Sequence, residues 1–204
     1  MAVREIRNAA TRALLLIRHG ALPPNPERRF IGAQDIPLSG TGRAQIRALG
    51  QELAAELRDR PPTAIISSDL ARCRETADIL TKAFAPVAGG ASSHADAGFR
   101  EISLGVWQGR TVEEIEKSFP GQYAQRGRDM AGFCPAGGEN FITVRQRALA
   151  AMERWRTRYP EGILLIVAHA GINAVLIAQY LSLPMTDLVR IPQPYACRTW
   201  LNDV

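Results

Sequence analysis

The chain has 204 residues, 46% of them apolar, and a formal charge of +5, which suits one packed domain, or one domain with an elaborated insertion, and excludes disordered and fibrous chains. Of its 25 basic residues only Lys82 and Lys117 are lysines, so 23 are arginines, and these are interspersed with acids instead of forming a block. That pattern argues against nucleic acid as the partner and suits small anionic ligands, which planar guanidinium groups bind well.

In chain order, Ala13-Leu14-Leu15-Leu16-Ile17 is a continuous aliphatic run and predicts a strand buried on both faces. It ends in Arg18-His19-Gly20, where Gly20 permits a sharp turn and the close approach of a ligand. The proline-rich stretch Ala21 to Pro26, with Asn25 inside it, is a loop. Ser39 or Thr41 can cap a helix whose core face is Ile46, Leu49, Leu53 and Leu57. Thr63 to Ser67 predicts a second buried strand, and Ser67-Ser68-Asp69 the start of a helix that places Arg72 and Thr76 one turn apart.

An edge strand is expected near Ser92 to Ala95, with His94 as an exposed histidine. Thr111 and Glu114 form a capping box for a short helix, Val112 to Ser118, and a second is expected from Gln122 to about Met130. Gly132 to Gly138 reads as a loop. Glu139 to Tyr159 reads as a long helix with Phe141, Val144, Leu149, Met152 and Trp155 among its buried positions. Ile163 to Val167 is the most apolar strand, followed by Ala168-His169-Ala170-Gly171 and a helix from Ile172 to Tyr180. Tyr195 to Leu201 can form a last edge strand.

Cys73, Cys134 and Cys197 form no C-x-x-C pair, so neither a zinc site nor a disulfide framework is indicated, and a reducing cytoplasmic setting is the simplest. No apolar run reaches membrane-spanning length, and the polar segment 1–12 reads as a flexible extension. Two of the three histidines, His19 and His169, follow buried strands. In a parallel α/β sheet such strand ends share one rim, where ligands bind. Arg18 and Arg72 join them there, without a carboxylate cluster for a metal. Two arginines, two histidines and a helix start make a phosphate pocket with a nucleophile inside it.

Five segments in order resemble the histidine phosphatase superfamily, the phosphoglycerate mutase-like proteins. They are Leu16-Ile17-Arg18-His19-Gly20; Ser67 to Arg72 with Thr76 behind it; Arg100-Glu101 with Gly105-Val106-Trp107-Gln108-Gly109; Pro135 to Asn140; and Val167 to Gly171. The resemblance implies a three-layer α/β/α sandwich with a mostly parallel central sheet. It also implies one domain over 13–204, with a small helical lid at about 111–135. It implies that His19 is the nucleophile, that Arg18, Arg72 and His169 clamp the phosphate, and that Glu101 is the proton donor. Asn25 and Ala170 fall where substrate contacts are expected. No cofactor or metal is implied. The partner is a small phosphorylated substrate, with no nucleic acid or membrane, and a homodimer is one option for assembly.

Where many relatives carry Glu-Thr or Glu-Ser after R-H-G, this chain has Ala21-Leu22. Gln108 stands for a frequent glutamate, and Ala170 for a frequent glycine. These departures bear on substrate rather than chemistry. The expected activity is phosphomonoester hydrolysis, because the segment after Glu101 has the phosphatase form G-x-W-x-G. A phosphoglycerate mutase-type transferase and a non-catalytic phospho-ligand binder are the alternatives.

Overall fold

The computed structural model describes residues 13–88 and 91–202; the segment 1–12, expected to be a flexible extension, lies outside the described residues. Strands β1 (Ala13–Arg18), β2 (Ala64–Ser67), β3 (Ser92–Ala95), β4 (Ile163–Ala168) and β5 (Arg198–Asn202) form one sheet in the order β3-β2-β4-β1-β5. β5 runs antiparallel to β1, and the other neighbours are parallel. The register of the central pair sets Ala13 opposite Ile163 and Arg18 opposite Ala168.

The continuous aliphatic runs are explained by cover on both faces. Leu15, Ile17, Ile65, Leu165 and Val167 point to one side, where they meet Ile46, Leu49 and Leu53 of α1 (Gly40–Glu56) and Leu80 and Phe84 of α2 (Ala71–Ala88). Leu14, Leu16, Ile66, Leu164 and Ile166 point to the other. There they meet Val144, Ala148 and Met152 of α5 (Phe141–Arg158) and Ile172 and Val175 of α6 (Ala170–Tyr180). The two short helices α3 (Val112–Ser118) and α4 (Gln122–Arg128) precede α5. Phe30, Tyr123 and Phe133 gather around the buried Trp107, with ring centroids 5.2 to 6.3 Å from it. Tyr123 and Phe133 therefore fasten the 111–135 segment to the body.

Several element ends differ from expectation, each for a local reason. α2 starts at Ala71 because its first amide is capped from far away, by Asp35 Oδ1 at 2.6 Å. α5 starts at Phe141, after Asn140, whose side chain accepts from Thr143 N–H. α6 starts at Ala170, two residues early, directly after His169. β5 starts at Arg198 instead of Tyr195, because Ala196 takes a left-handed φ of 58° and Cys197 N–H turns back to Pro194 O. His94 is not the exposed histidine expected. It is half-buried, its ring 4.9 Å from that of Trp155 and its Nε2 2.9 Å from Tyr159 Oη.

The turn after β1 is held by backbone contact with α1. Ser39, not Thr41, caps α1 by accepting from Gly42 N–H, and both Ser39 N–H and its hydroxyl donate to Ala21 O. A Cβ on Gly20 would lie 2.5 Å from Gly42 O, and one on Gly42 would lie 2.1 Å from Ala21 O. The demand for glycine at position 20 therefore comes from the chain's own backbone. Gly42→Ala should lower the urea midpoint by the equivalent of about 1–3 kcal/mol, as overpacking does. Gly40→Ala, where nothing lies within 4 Å, should stay within about 0.5 kcal/mol of the parent. Equal midpoints for the two variants would refute the packing account.

Candidate active site

β1 and β4 are adjacent and parallel, and each runs directly into a histidine. The rings of His19 and His169 stand 5.2 Å apart, and His19 N–H donates to Ala168 O across the strand gap. Both histidines are buried, at 3% and 0% exposure. His19 Nδ1 lies 2.8 Å from Gly20 O, which can only accept, so Nδ1 carries the proton and Nε2 keeps the lone pair. His169 has the opposite tautomer. Arg72 Nε, a donor only, is 3.1 Å from its Nδ1, which leaves the proton on Nε2, 3.4 Å from Cys73 Sγ.

Arg72 is 1% exposed. Nη1 donates to Gln34 O at 2.6 Å and Nη2 to Gly32 O at 2.9 Å, so three of the five guanidinium N–H groups are taken and two remain. The loop that offers those carbonyls is itself pinned. Gln108 Oε1 accepts from Ala33 N–H and Leu104 N–H, and Asp35 caps α2. Thr76 ties α2 to the first strand end, donating to Arg72 O and accepting from Gly20 N–H. Arg18 donates from Nη1 to Gln193 O, and its Cζ lies 4.0 Å above the Tyr195 ring. Its Nε has no partner among the described residues.

Glu101 does not pair with Arg100, whose guanidinium instead holds Asp69. Its carboxylate accepts from Ile102 N–H at 3.0 Å and from Gly171 N–H at 3.2 Å, in the first turn of α6. The segment that carries it is anchored by Glu139, which accepts two bonds from Arg147 and one from Ser103 N–H. Arg147 also donates to Gly98 O and Glu101 O. Burial pushes Glu139 upward, but the Arg147 guanidinium prevails and holds it below the ordinary carboxylate range.

The structure thus brings Arg18, His19, Arg72, Glu101 and His169 to one rim, and Ala170 adjoins them at the head of α6. Asn25 is placed otherwise. It is exposed, its Oδ1 accepts from Arg29 N–H, and its Nδ2 donates to Arg29 O, so its amide closes its own loop. Sequence reasoning passed over Tyr195, 5.5 Å from His19, and the supporting pair Glu139 and Arg147. The glutamate before the Asn140 cap was the available signal for that pair.

Burial, and then Arg72 and Arg18, lower His19 to about 3, although its bond to Gly20 O works the other way. Burial, Arg72 and His19 push His169 down as well. An unfolded histidine titrates near 6.5. Between about pH 6.5 and 3 the unfolded chain therefore binds a proton that folded His19 refuses, so stability is lost as the pH is lowered through that window; above it the term vanishes. Unfolding free energies measured from pH 6.5 to 5 should decline less steeply in His19→Gln than in the parent. The expected difference is up to about 1.4 kcal/mol per pH unit. Identical slopes would show that the imidazole is not held neutral.

Residues 14–202 match the family model described as histidine phosphatase superfamily (branch 1). The chain is 35% identical over 184 residues to the glucosyl-3-phosphoglycerate phosphatase of Mycolicibacterium vanbaalenii, covering 86% of this chain and 77% of that protein. It is 32% identical over 173 residues to an Escherichia coli protein named as a probable phosphoglycerate mutase, covering 83% and 74%. The solved structure of a mycobacterial glucosyl-3-phosphoglycerate phosphatase superposes with a TM-score of 0.80 at 31% identity, over 93% of this chain and 89% of that one. With the ordered strand ends, the paired histidines and a match over nearly the whole chain, this protein belongs to the histidine phosphatase superfamily.

Proposed function

We propose that this protein is a cytoplasmic phosphomonoesterase that hydrolyses small phosphorylated metabolites through a phosphohistidine on His19, without a metal. The observation that carries this reading is the state of His19. Its ring is buried and neutral, with the proton fixed on Nδ1 by Gly20 O, so the Nε2 lone pair is free to attack phosphorus. Arg18 and Arg72 flank it. Their positive charge keeps the imidazole unprotonated and also offsets the charge of a phosphate's non-bridging oxygens, the work a metal does elsewhere.

In the first step His19 Nε2 forms a bond to phosphorus as the ester P–O bond breaks, and Glu101 gives its proton to the departing alkoxide. In the second, Glu101 takes a proton from water, the oxygen attacks phosphorus, and the P–N bond breaks. Inorganic phosphate leaves and both side chains return to their starting states. His169 acts in this scheme through Arg72, whose Nε it accepts, and as a neighbour of the transferred group. The segment 111–135 serves as the lid over the leaving group.

Brief exposure to a radiolabelled phosphate ester, followed by quenching without acid, should leave label on His19 as an acid-labile, base-stable adduct. Its yield should be the same with and without a chelator. Label on serine or cysteine, or loss of the adduct on chelation with recovery on adding a divalent cation, would overturn the scheme. Glu101→Gln should slow an alkyl phosphate by roughly 10²–10⁴-fold. It should slow nitrophenyl phosphate much less, since that phenolate scarcely needs the proton. A small, equal loss on both substrates would remove Glu101 as the acid.

A further inference from the structure

Residues 192–197, the turn before β5, are tied to the end of β1 on both sides of Tyr195. Gln193 O accepts from Arg18 Nη1, Ala196 N–H donates to His19 O at 3.2 Å, and Cys197 O accepts from Arg18 N–H at 3.0 Å. Behind the turn Asn173 of α6, 1% exposed, donates from Nδ2 to Gln193 Oε1 at 3.1 Å. Ala196 takes its left-handed φ of 58° in spite of its Cβ. Such a conformation is costly outside glycine, and it is retained where surrounding contacts impose it, often beside a functional site. What this turn delivers to the rim is the Tyr195 ring.

The ring lies against the nucleophile and one clamp arginine. Its centroid is 5.5 Å from that of His19 and 4.0 Å from Arg18 Cζ. Tyr195 is within electrostatic reach of Arg72 as well. It therefore borders the space that His19, Arg18 and Arg72 share, where the phosphoryl group is transferred in the proposed reaction. A guanidinium held over a ring face keeps its N–H groups for other acceptors. The ring is 37% exposed, and among the described residues its hydroxyl has no hydrogen-bond partner.

Phosphoryl transfer spreads negative charge over three oxygens, which call for donors. Arg18 and Arg72 supply some, yet both have N–H groups already committed to carbonyls. Thr76, whose hydroxyl also reaches this strand end, spends its one proton on Arg72 O. Ala21 and Leu22, which follow the turn, carry no side-chain donor. Resting on the phosphatase reading, we infer that Tyr195 is a further catalytic residue, whose hydroxyl donates to a non-bridging oxygen of the phosphoryl group as it passes to and from His19 Nε2. A hydroxyl bonded to a charged oxygen is a strong, charge-assisted contact. It adds a donor without another positive charge beside the two guanidiniums. Because the contact is with the group common to all phosphate esters, it bears on transfer itself and not on the choice of alcohol.

The test is Tyr195→Phe, which keeps the ring against Arg18 and removes only the hydroxyl. The urea midpoint should not move, since no partner in the folded chain is lost. The value of kcat/KM should fall by about 10- to 100-fold, the size of one lost hydrogen bond to a charged group. The factor should be the same for nitrophenyl phosphate and glycerol 3-phosphate, which share the phosphoryl group and differ in the leaving group. Binding of vanadate, which imitates the phosphoryl group in transfer, should weaken by a comparable factor. Tyr195→Leu, which also removes the face against Arg18, should lose at least as much on every measure. Parental activity and vanadate affinity in Tyr195→Phe, a loss confined to one of the two esters, or a Leu variant better than the Phe variant would overturn the inference and leave the phosphatase reading intact. Failure of the parent to release phosphate from either ester would instead overturn that reading, and the inference with it.

Discussion

A fully buried guanidinium is the constraint around which the rest is arranged. Removing the charge of Arg72 from water is costly, and the fold compensates with three acceptors from two places: Gly32 O and Gln34 O of one loop, and His169 Nδ1 at the end of β4. Each acceptor carries a condition. His169 accepts only while its Nδ1 is unprotonated, which burial and the neighbouring cations enforce. The loop presents its carbonyls only in one shape, fixed by Gln108 on one side and by the Asp35 cap of α2 on the other. A charge placed to attract an anion thus also dictates the protonation of two histidines and the path of an otherwise irregular segment.

The proposed proton donor is kept apart from this cationic half. Glu101 sits across the rim, held by two backbone amides and by a segment that Arg147 and Glu139 fasten to the start of α5. Were Glu101 to swing onto Arg72 or Arg18, an internal ion pair would neutralise both the acid and the clamp. The amide bonds hold the carboxyl group by dipoles instead of by a full charge.

What the sequence made legible was whatever depended on near neighbours or on one-dimensional pattern. The aliphatic runs of β1 and β4, the capping box at Thr111 and the Arg18-His19 strand end can all be read along a few residues, and the ordered motifs marked the family. Contacts between distant residues could not be read so. The cap of α2 comes from Asp35, and His94 finds Tyr159 and Trp155 on α5 and just beyond it. Tyr195 reaches Arg18 only because Ala196 adopts a left-handed turn before β5. Asn25 shows the converse: its place in the family pattern implies a substrate contact, and what the structure adds is that its amide closes a local loop. The glycine at position 20 was legible as a requirement, but its cause, the backbone of α1, was not.

The parallel register that sets Arg18 opposite Ala168 has a further meaning for how such a protein tolerates change. The two imidazoles face each other at 5.2 Å, close to the spacing of neighbouring strands, because each is the next residue after a matched pair. Their separation is thus written into chain length rather than side-chain choice. The aliphatic residues of β1 and β4 can exchange identity among themselves so long as volume is kept. A single residue inserted or deleted within either strand would turn one histidine to the opposite face of the sheet and carry its neighbours with it. Evolution along this fold is free to rewrite the letters between the histidines and their strand starts, but not to change their count.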